Sequence, residues 1–340
     1  YNFNYMNKLE RFKKELNSVF PNKLITNFSP SSSYRNRCEF TYQKDKYVMY
    51  QGSEKIYIAT FRSAARQIQY LMPILLEQIN KSKRIKTKLF QINFRTNNLN
   101  EVMVTLIYHK KISDDLINEI KNLSSQLKVK IILRSKNFLF STSSKYFKSA
   151  IKYKNINLYQ TDNCFYQPNK FLLDYMIKKV VEFIDDADDI LELYCGVGTF
   201  TMPISYSCNK ILASENNRDS IKCIKIGLDI NNILNVTNVR LSDDEVYELL
   251  LGRKFNRTKD INIDKYNFSH VLVDPPRSGL TKKTIEMVGN FKNIIYISCN
   301  PETYLRDINF LKKHKIKKIE LFDQFPNTQH LEIVSLLQKN

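Results

Sequence analysis

Glycine and proline are scarce in this 340-residue chain, with 7 and 9 occurrences, and negative charge is scarce in its first half. Residues 1–160 hold 29 Lys and Arg against 10 Asp and Glu, whereas residues 161–340 hold 24 of each. The formal charge of +19 therefore arises entirely before residue 161. A solvated basic face is the plainer reading, but so lopsided an excess favours a polyanion gripped by its phosphates. Long hydrophobic runs are also missing. None approaches the roughly 18 residues that cross a bilayer, and nothing reads as a secretory leader, so a cytoplasmic protein with no membrane partner is expected. The six cysteines, at 38, 164, 195, 208, 223 and 299, include no C-x-x-C pair. They are too dispersed for a disulfide or zinc framework, which predicts a reducing compartment and no metal.

The length exceeds the roughly 250–300 residues that one core usually serves, so two domains are expected. Residues 6–19 read as a short amphipathic helix. Arg37–Tyr42, Tyr47–Tyr50 and Ile56–Ala59 are aromatic and branched runs between polar turns, which predicts a small antiparallel sheet or barrel. Apolar residues at 68, 71, 72, 75, 76 and 79 give residues 64–80 a helical period. Strands near 88–95, 101–108 and 129–134 and a helix near 113–126 complete an α+β domain. From about residue 170 the rhythm changes. Ile190–Leu193, Ile211–Ala213, Val239–Leu241, His270–Val273 and Ile294–Ile297 are strands separated by helical sequence, the pattern of a doubly wound parallel sheet. A final pair, Lys318–Phe322 and Ile333–Leu337, is joined by a short loop, so one of the two can run antiparallel.

The few glycines and prolines cluster where these strands end. Gly196, Gly198, Gly279, Pro275, Pro276 and Pro301 fall in three short segments, which points to backbone geometry that other residues supply poorly. Gly196-Val197-Gly198 follows the strand ending at Leu193, but Thr201 stands where a dinucleotide fingerprint requires a third glycine, which argues against NAD. Glu192 and Glu215, the latter 17 residues beyond Gly198, instead suit S-adenosylmethionine, whose ribose diol wants a carboxylate and whose positive charge tolerates acidic neighbours. Asp274 lies between a strand and two prolines that hold its loop extended. Cys299 follows 25 residues later, ahead of a helix starting near Pro301 whose N-terminus would favour the thiolate. A buried, inert thiol is the alternative. Glu332, before the last strand, is a candidate general base, or else a surface carboxylate.

At these positions the chain resembles the S-adenosylmethionine-dependent RNA uracil-5-methyltransferase family, in its tRNA-modifying branch. The resemblance runs from Tyr34-Arg35-Asn36-Arg37-Cys38-Glu39-Phe40 through Leu89-Phe90-Gln91-Ile92, Tyr108-His109-Lys110-Lys111 and Phe165-Tyr166-Gln167-Pro168-Asn169. It continues through the Asp274 loop, Tyr296-Ile297-Ser298-Cys299-Asn300-Pro301-Glu302-Thr303 and Leu321-Phe322-Asp323-Gln324-Phe325-Pro326. It implies a Rossmann-like methyltransferase domain over residues 161–340 behind an α+β RNA-binding domain over residues 1–160. It implies Cys299 as nucleophile and Glu332 as base. Gln167, Tyr194, Gly196, Gly198, Thr199, Glu215 and Asp274 would serve the cofactor, and Phe165, Arg35 and Arg37 the RNA. Thr199 and Val197 depart from the family pattern, in which position 199 often carries Asn. The expected substrate is a uridine in the T arm of tRNA, with a T-like loop of tmRNA as a further one. No iron-sulfur cluster and no obligate protein partner are expected. Two other readings stay open at this point. One is an amino-group methyltransferase working through Asp274-Pro275-Pro276 with Cys299 structural; the other is a non-catalytic RNA-binding or RNA-folding protein.

Overall fold

The computed structural model describes residues 5–326 and 328–340. They divide into two compact units: a larger one made of the segment up to Ser29 with Ile151–Tyr159 and Cys164–Asn340, and a smaller one made of Pro30–Ala150 and Gln160–Asn163. A single cut near residue 160 does not describe this division. The first segment belongs to the larger unit because Leu9, Phe12 and Leu16 of helix α1 (Tyr5–Leu16), with Phe20, enter its core. Strand β1 (Ile25–Phe28) then joins that unit's sheet. The basic excess is divided too, since Lys8, Arg11, Lys13, Lys14 and Lys23 lie in the larger unit.

The smaller unit comprises β2 (Arg37–Gln43), β3 (Lys46–Gln51), β4 (Glu54–Ile58), α2 (Arg66–Lys81), α3 (Lys83–Lys86), β5 (Leu89–Thr96), β6 (Val102–Tyr108), α4 (Asp114–Leu127), β7 (Lys130–Ser135) and β8 (Phe138–Ser141). Its seven strands form an open sheet in the order β4-β3-β2-β5-β6-β7-β8, not a barrel. All neighbours are antiparallel except β6 and β7, which α4 connects. The predicted apolar stripe of α2 is buried at Ile68, Leu71, Met72, Leu75, Leu76 and Ile79. It shares a core with Phe40, Tyr47 and Phe94.

The chain continues through β9 (Phe147–Ile151) and β10 (Ile156–Gln160) into α5 (Leu173–Phe183), β11 (Asp189–Leu193), α6 (Thr201–Ile204), β12 (Lys210–Ser214), α7 (Arg218–Ile230), β13 (Val236–Val239), α8 (Asp243–Leu250), β14 (Phe268–Val273), α9 (Lys282–Val288), β15 (Asn293–Ser298), α10 (Pro301–Phe310), β16 (His314–Asp323) and β17 (Glu332–Lys339). The larger unit's sheet has the order β1-β16-β17-β15-β14-β11-β12-β13. It is parallel apart from β17, which runs antiparallel to both β15 and β16. This is the expected Rossmann-like doubly wound sheet. Strands β11, β12, β14 and β15 are largely buried runs, as parallel strands covered on both faces must be, whereas the edge strand β13 is buried only at Val239. From β11 the chain winds outward to β13 and then returns to β14 on the other side of β11. The switch point, where such sheets bind ligands, therefore lies between β11 and β14. β13 ends two residues earlier than expected, since Ser242 caps α8 in a reciprocal capping box with Glu245 and the chain must turn before it. No helix among the described residues is long and apolar enough to cross a membrane.

Candidate active site

The glycine loop starts at the switch point. Tyr194 and Gly196 take positive φ of 59° and 56°, and Gly198 one of 87°. The two glycines serve different ends. A Cβ built on Gly196 would meet nothing within 4 Å, so this backbone is open to a ligand. One built on Gly198 would lie 2.8 Å from Ile224 Cγ1 and 3.0 Å from Met202 Cε, so Gly198 lets α7 pack tightly against the loop. Glu215, just past β12, ties the loop to α7. Its carboxylate accepts the Gly196 N–H at 3.0 Å and the Asn217 N–H at 2.7 Å, while the Asn217 side chain caps α7 by accepting from the Asp219 and Ser220 N–H groups. Thr199 is buried where the loop enters α6. Tyr194 is held by a residue that sequence reasoning did not single out: its hydroxyl donates to Asp243 Oδ2 at 2.7 Å, and the Thr284 hydroxyl donates to the same oxygen.

On the other side of the switch point, Asp274 follows β14 and receives Gln167 Nε2 at 3.4 Å. Gln167 is buried and Asp274 half-buried. Burial pushes the Asp274 carboxyl up to about 7, against the opposing Gln167 hydrogen bond. Glu192, inside β11, is pushed to about 8, mainly by burial, and its Oε2 has no hydrogen-bond partner among the described residues. Gln167 Oε1 is likewise unpaired. An open glycine backbone, an acceptor carboxylate at Glu215, and buried carboxyls beside unsatisfied acceptors fit a cationic sulfonium nucleoside. An electronegative pocket that lacks a counter-charge is stabilised by bringing one in.

Cys299 and Glu332 meet at the same edge. Ser298 pairs with Ile333 across β15 and β17, so Cys299 and Glu332, one residue further out on each strand, stand opposite one another. Glu332 is 4% exposed, its Oε2 has no partner among the described residues, and its carboxyl is pushed up to about 8 by burial, with Asp274 adding and Arg277 opposing. Helix α10 does begin at Pro301, with the Asn300 side chain accepting the Glu302 N–H. The expectation that this helix favours the thiolate is corrected, however. Burial, followed by the charges of Glu332 and Asp274, pushes the Cys299 thiol up to about 12, and Arg277 only partly opposes this. Cys299 opens onto a cavity of about 450 Å³ whose lining includes Lys8, Arg11, Arg277 and His330. Arg277 and His330 are joined at 2.8 Å, from guanidinium to imidazole Nε2.

The ring of Phe165 is 58% exposed, two residues from Gln167. Arg35 and Arg37 belong to the smaller unit, where the Arg37 Nε donates to Glu39 at 2.7 Å. Among the described residues no group of three or more His, Cys, Asp or Glu is placed to hold a metal ion. Sequence reasoning missed Arg277, His330 and Asp243, although Arg277 directly follows the Asp274-Pro275-Pro276 signal.

Known proteins resemble this chain over nearly its whole length. A family model described as tRNA (uracil-5-)-methyltransferase matches residues 1–340. The tRNA/tmRNA (uracil-C(5))-methyltransferase of Campylobacter lari is 38% identical over 336 residues, covering 96% of both chains. That of Saccharophagus degradans is 37% identical over 340 residues, covering 96% of this chain and 93% of its own. The crystal structure of Pyrococcus abyssi tRNA (uracil-54, C5)-methyltransferase in complex with S-adenosyl-L-homocysteine superposes with a TM-score of 0.76. It is 22% identical and covers 98% of this chain and 83% of that one, a likeness of fold.

Proposed function

The chain belongs to the tRNA (uracil-5-)-methyltransferase family, and on that premise we propose that it methylates C5 of the T-loop uridine of tRNA, position 54, by covalent catalysis through Cys299. The observation that carries this reading is the placing of Cys299 opposite Glu332 at the strand ends beside Asp274. An amino-group methyltransferase would have no use for that pair. S-adenosylmethionine supplies the methyl group and a positive charge.

Gly196 and Glu215 would hold the cofactor's nucleoside, with Tyr194, Gly198 and Thr199 shaping the loop and Gln167 and Asp274 facing the target base. C5 of uracil is a weak nucleophile. Addition of the Cys299 sulfur at C6 moves the C5–C6 π pair towards C5 and the carbonyl, so that C5 can take the methyl group. C5 then carries both methyl and hydrogen. Glu332 as carboxylate removes the proton, the double bond reforms, and the C6–S bond breaks to return the thiolate. The protonated thiol of the free protein means that thiolate forms only as substrates assemble. Positive charge arriving beside Glu192 and Asp274 favours their ionised forms and provides proton acceptors near the strand ends.

A base stacked in a loop hides C5 and C6, so the uridine is flipped out, with the open Phe165 ring as a stacking partner. Arg35 and Arg37, within the basic smaller unit, would hold the arm through its phosphates. A T-like loop of tmRNA meets the same requirements, and a cytoplasmic location matches such substrates. The test is a pair of variants. Cys299→Ala should bind S-adenosylmethionine but neither methylate tRNA nor cross-link to it. Glu332→Gln should accumulate methylated RNA joined to the protein and stable to denaturing electrophoresis. Methylation by Cys299→Ala would overturn the covalent route.

A further inference from the structure

We propose that Lys8, in the first helix, is a positioning residue for the proton-abstraction step: it clamps both ends of the loop that delivers Glu332, so the segment preceding the smaller unit is part of the catalytic machinery. This rests on the reading of Glu332 as the base. The Lys8 side chain is 5% exposed, and its Nζ donates to Asp323 Oδ1 at 2.6 Å and to the His330 carbonyl at 2.9 Å, with the Phe325 carbonyl at 3.4 Å. Asp323 is the last residue of β16 and His330 lies two residues before Glu332, so one ammonium is bonded at both ends of the connection between β16 and β17.

Helix packing alone does not require this lysine. α1 already docks through Leu9, Phe12 and Leu16, and the Phe12 ring lies 6.3 Å from that of Tyr304 in α10. Burying an ammonium costs several kcal/mol unless it is paired and fully hydrogen-bonded, and an apolar side chain would avoid that cost. What the lysine adds is direction, through two main-chain acceptors on the loop. The same loop is fixed from its other side. His330 meets Arg277 at 2.8 Å, and the Arg277 carbonyl accepts from Asn300 Nδ2 at 3.1 Å and from the Thr303 hydroxyl at 3.3 Å. Lys8 thus completes a chain of contacts from the first helix through the Glu332 loop and the Asp274 loop to the residue after Cys299.

The decisive experiment separates the two halves of the reaction in Lys8→Met and in Lys8→Met/Asp323→Asn, the second of which leaves no buried carboxylate stranded. Displacements of about 1 Å at a reacting group cost up to about 100-fold, so resolution of the covalent adduct should slow by about 10- to 100-fold. Cofactor binding should stay near wild type and methyl transfer in a single turnover should slow far less than resolution, so methylated RNA–protein adduct should build up. Parallel loss of methyl transfer and resolution, or unchanged resolution, overturns the proposal; the double variant decides if the single one does not fold. Glu332→Gln run alongside distinguishes the two levels. Adduct in Glu332→Gln without adduct in the Lys8 variants overturns the Lys8 role alone, whereas adduct in neither overturns the Glu332 assignment and the Lys8 role with it.

Discussion

Replacing Glu332 by Gln should stabilise the ligand-free protein, and the gain should appear only as pH rises. The Glu332 carboxyl sits at about 8 in the folded protein, raised from an ordinary 4.5 chiefly by burial. The folded state therefore holds this proton more tightly than the unfolded chain, and stability falls as pH climbs from about 4.5 towards 8. At about 1.4 kcal/mol per pH unit, ionised Glu332 costs on the order of 5 kcal/mol. Local relaxation and water entry reduce this to about 1–3 kcal/mol, or about 2–12 °C for a domain of 150–250 residues. Gln removes the charge and keeps the shape. The assay is thermal unfolding of wild type and Glu332→Gln at pH 5 and pH 8 without cofactor or RNA. The variant should match wild type within about 1 °C at pH 5 and exceed it by at least about 2 °C at pH 8. Equal midpoints at both pH values, or a less stable variant at pH 8, would show that ionised Glu332 is well solvated or paired and would refute the reasoning.

Further outcomes follow from the same geometry. Gly196→Ala and Gly198→Ala both place a side chain at positive φ, a cost of about 1–2 kcal/mol. Only Gly198→Ala also collides with Ile224 and Met202, so urea unfolding should show the larger loss there. Asn217→Ala removes the cap of α7 that follows Glu215 and should cost about 1 kcal/mol of stability, with weaker S-adenosylmethionine binding by calorimetry. Binding of tRNA should weaken steeply with salt: about five neutralised phosphates on an arm intermediate between single strand and duplex give a log–log slope of roughly −3.5 to −4.5. A flat dependence would remove the phosphate-gripping role of the basic residues.

Much of the site was legible because it lies where strands end, and strand ends carry local signals. The glycine pair, Asp274 between a strand and two prolines, and Cys299 before Pro301 each mark a turn by residue type alone, and the doubly wound order brings those turns to one edge. What local signals cannot convey is which distant groups share a cavity. The raised Cys299 thiol follows first from burial, which no motif encodes, and then from Glu332 and Asp274, both distant in sequence. The membership of the first segment was hidden for a similar reason. α1 reads as an ordinary amphipathic helix, and β1 is a four-residue edge strand whose pairing with β16 spans nearly the whole chain. Lys8 looked like one of many basic residues until its three acceptors were in place.

The most direct test of the central claim is nucleoside mass spectrometry of an unmodified tRNA transcript incubated with the protein and S-adenosylmethionine, with the methyl group mapped to base and position. Formation of 5-methyluridine at a single T-loop site is expected. Methyl on an exocyclic amine, or on any position other than uracil C5, would contradict it.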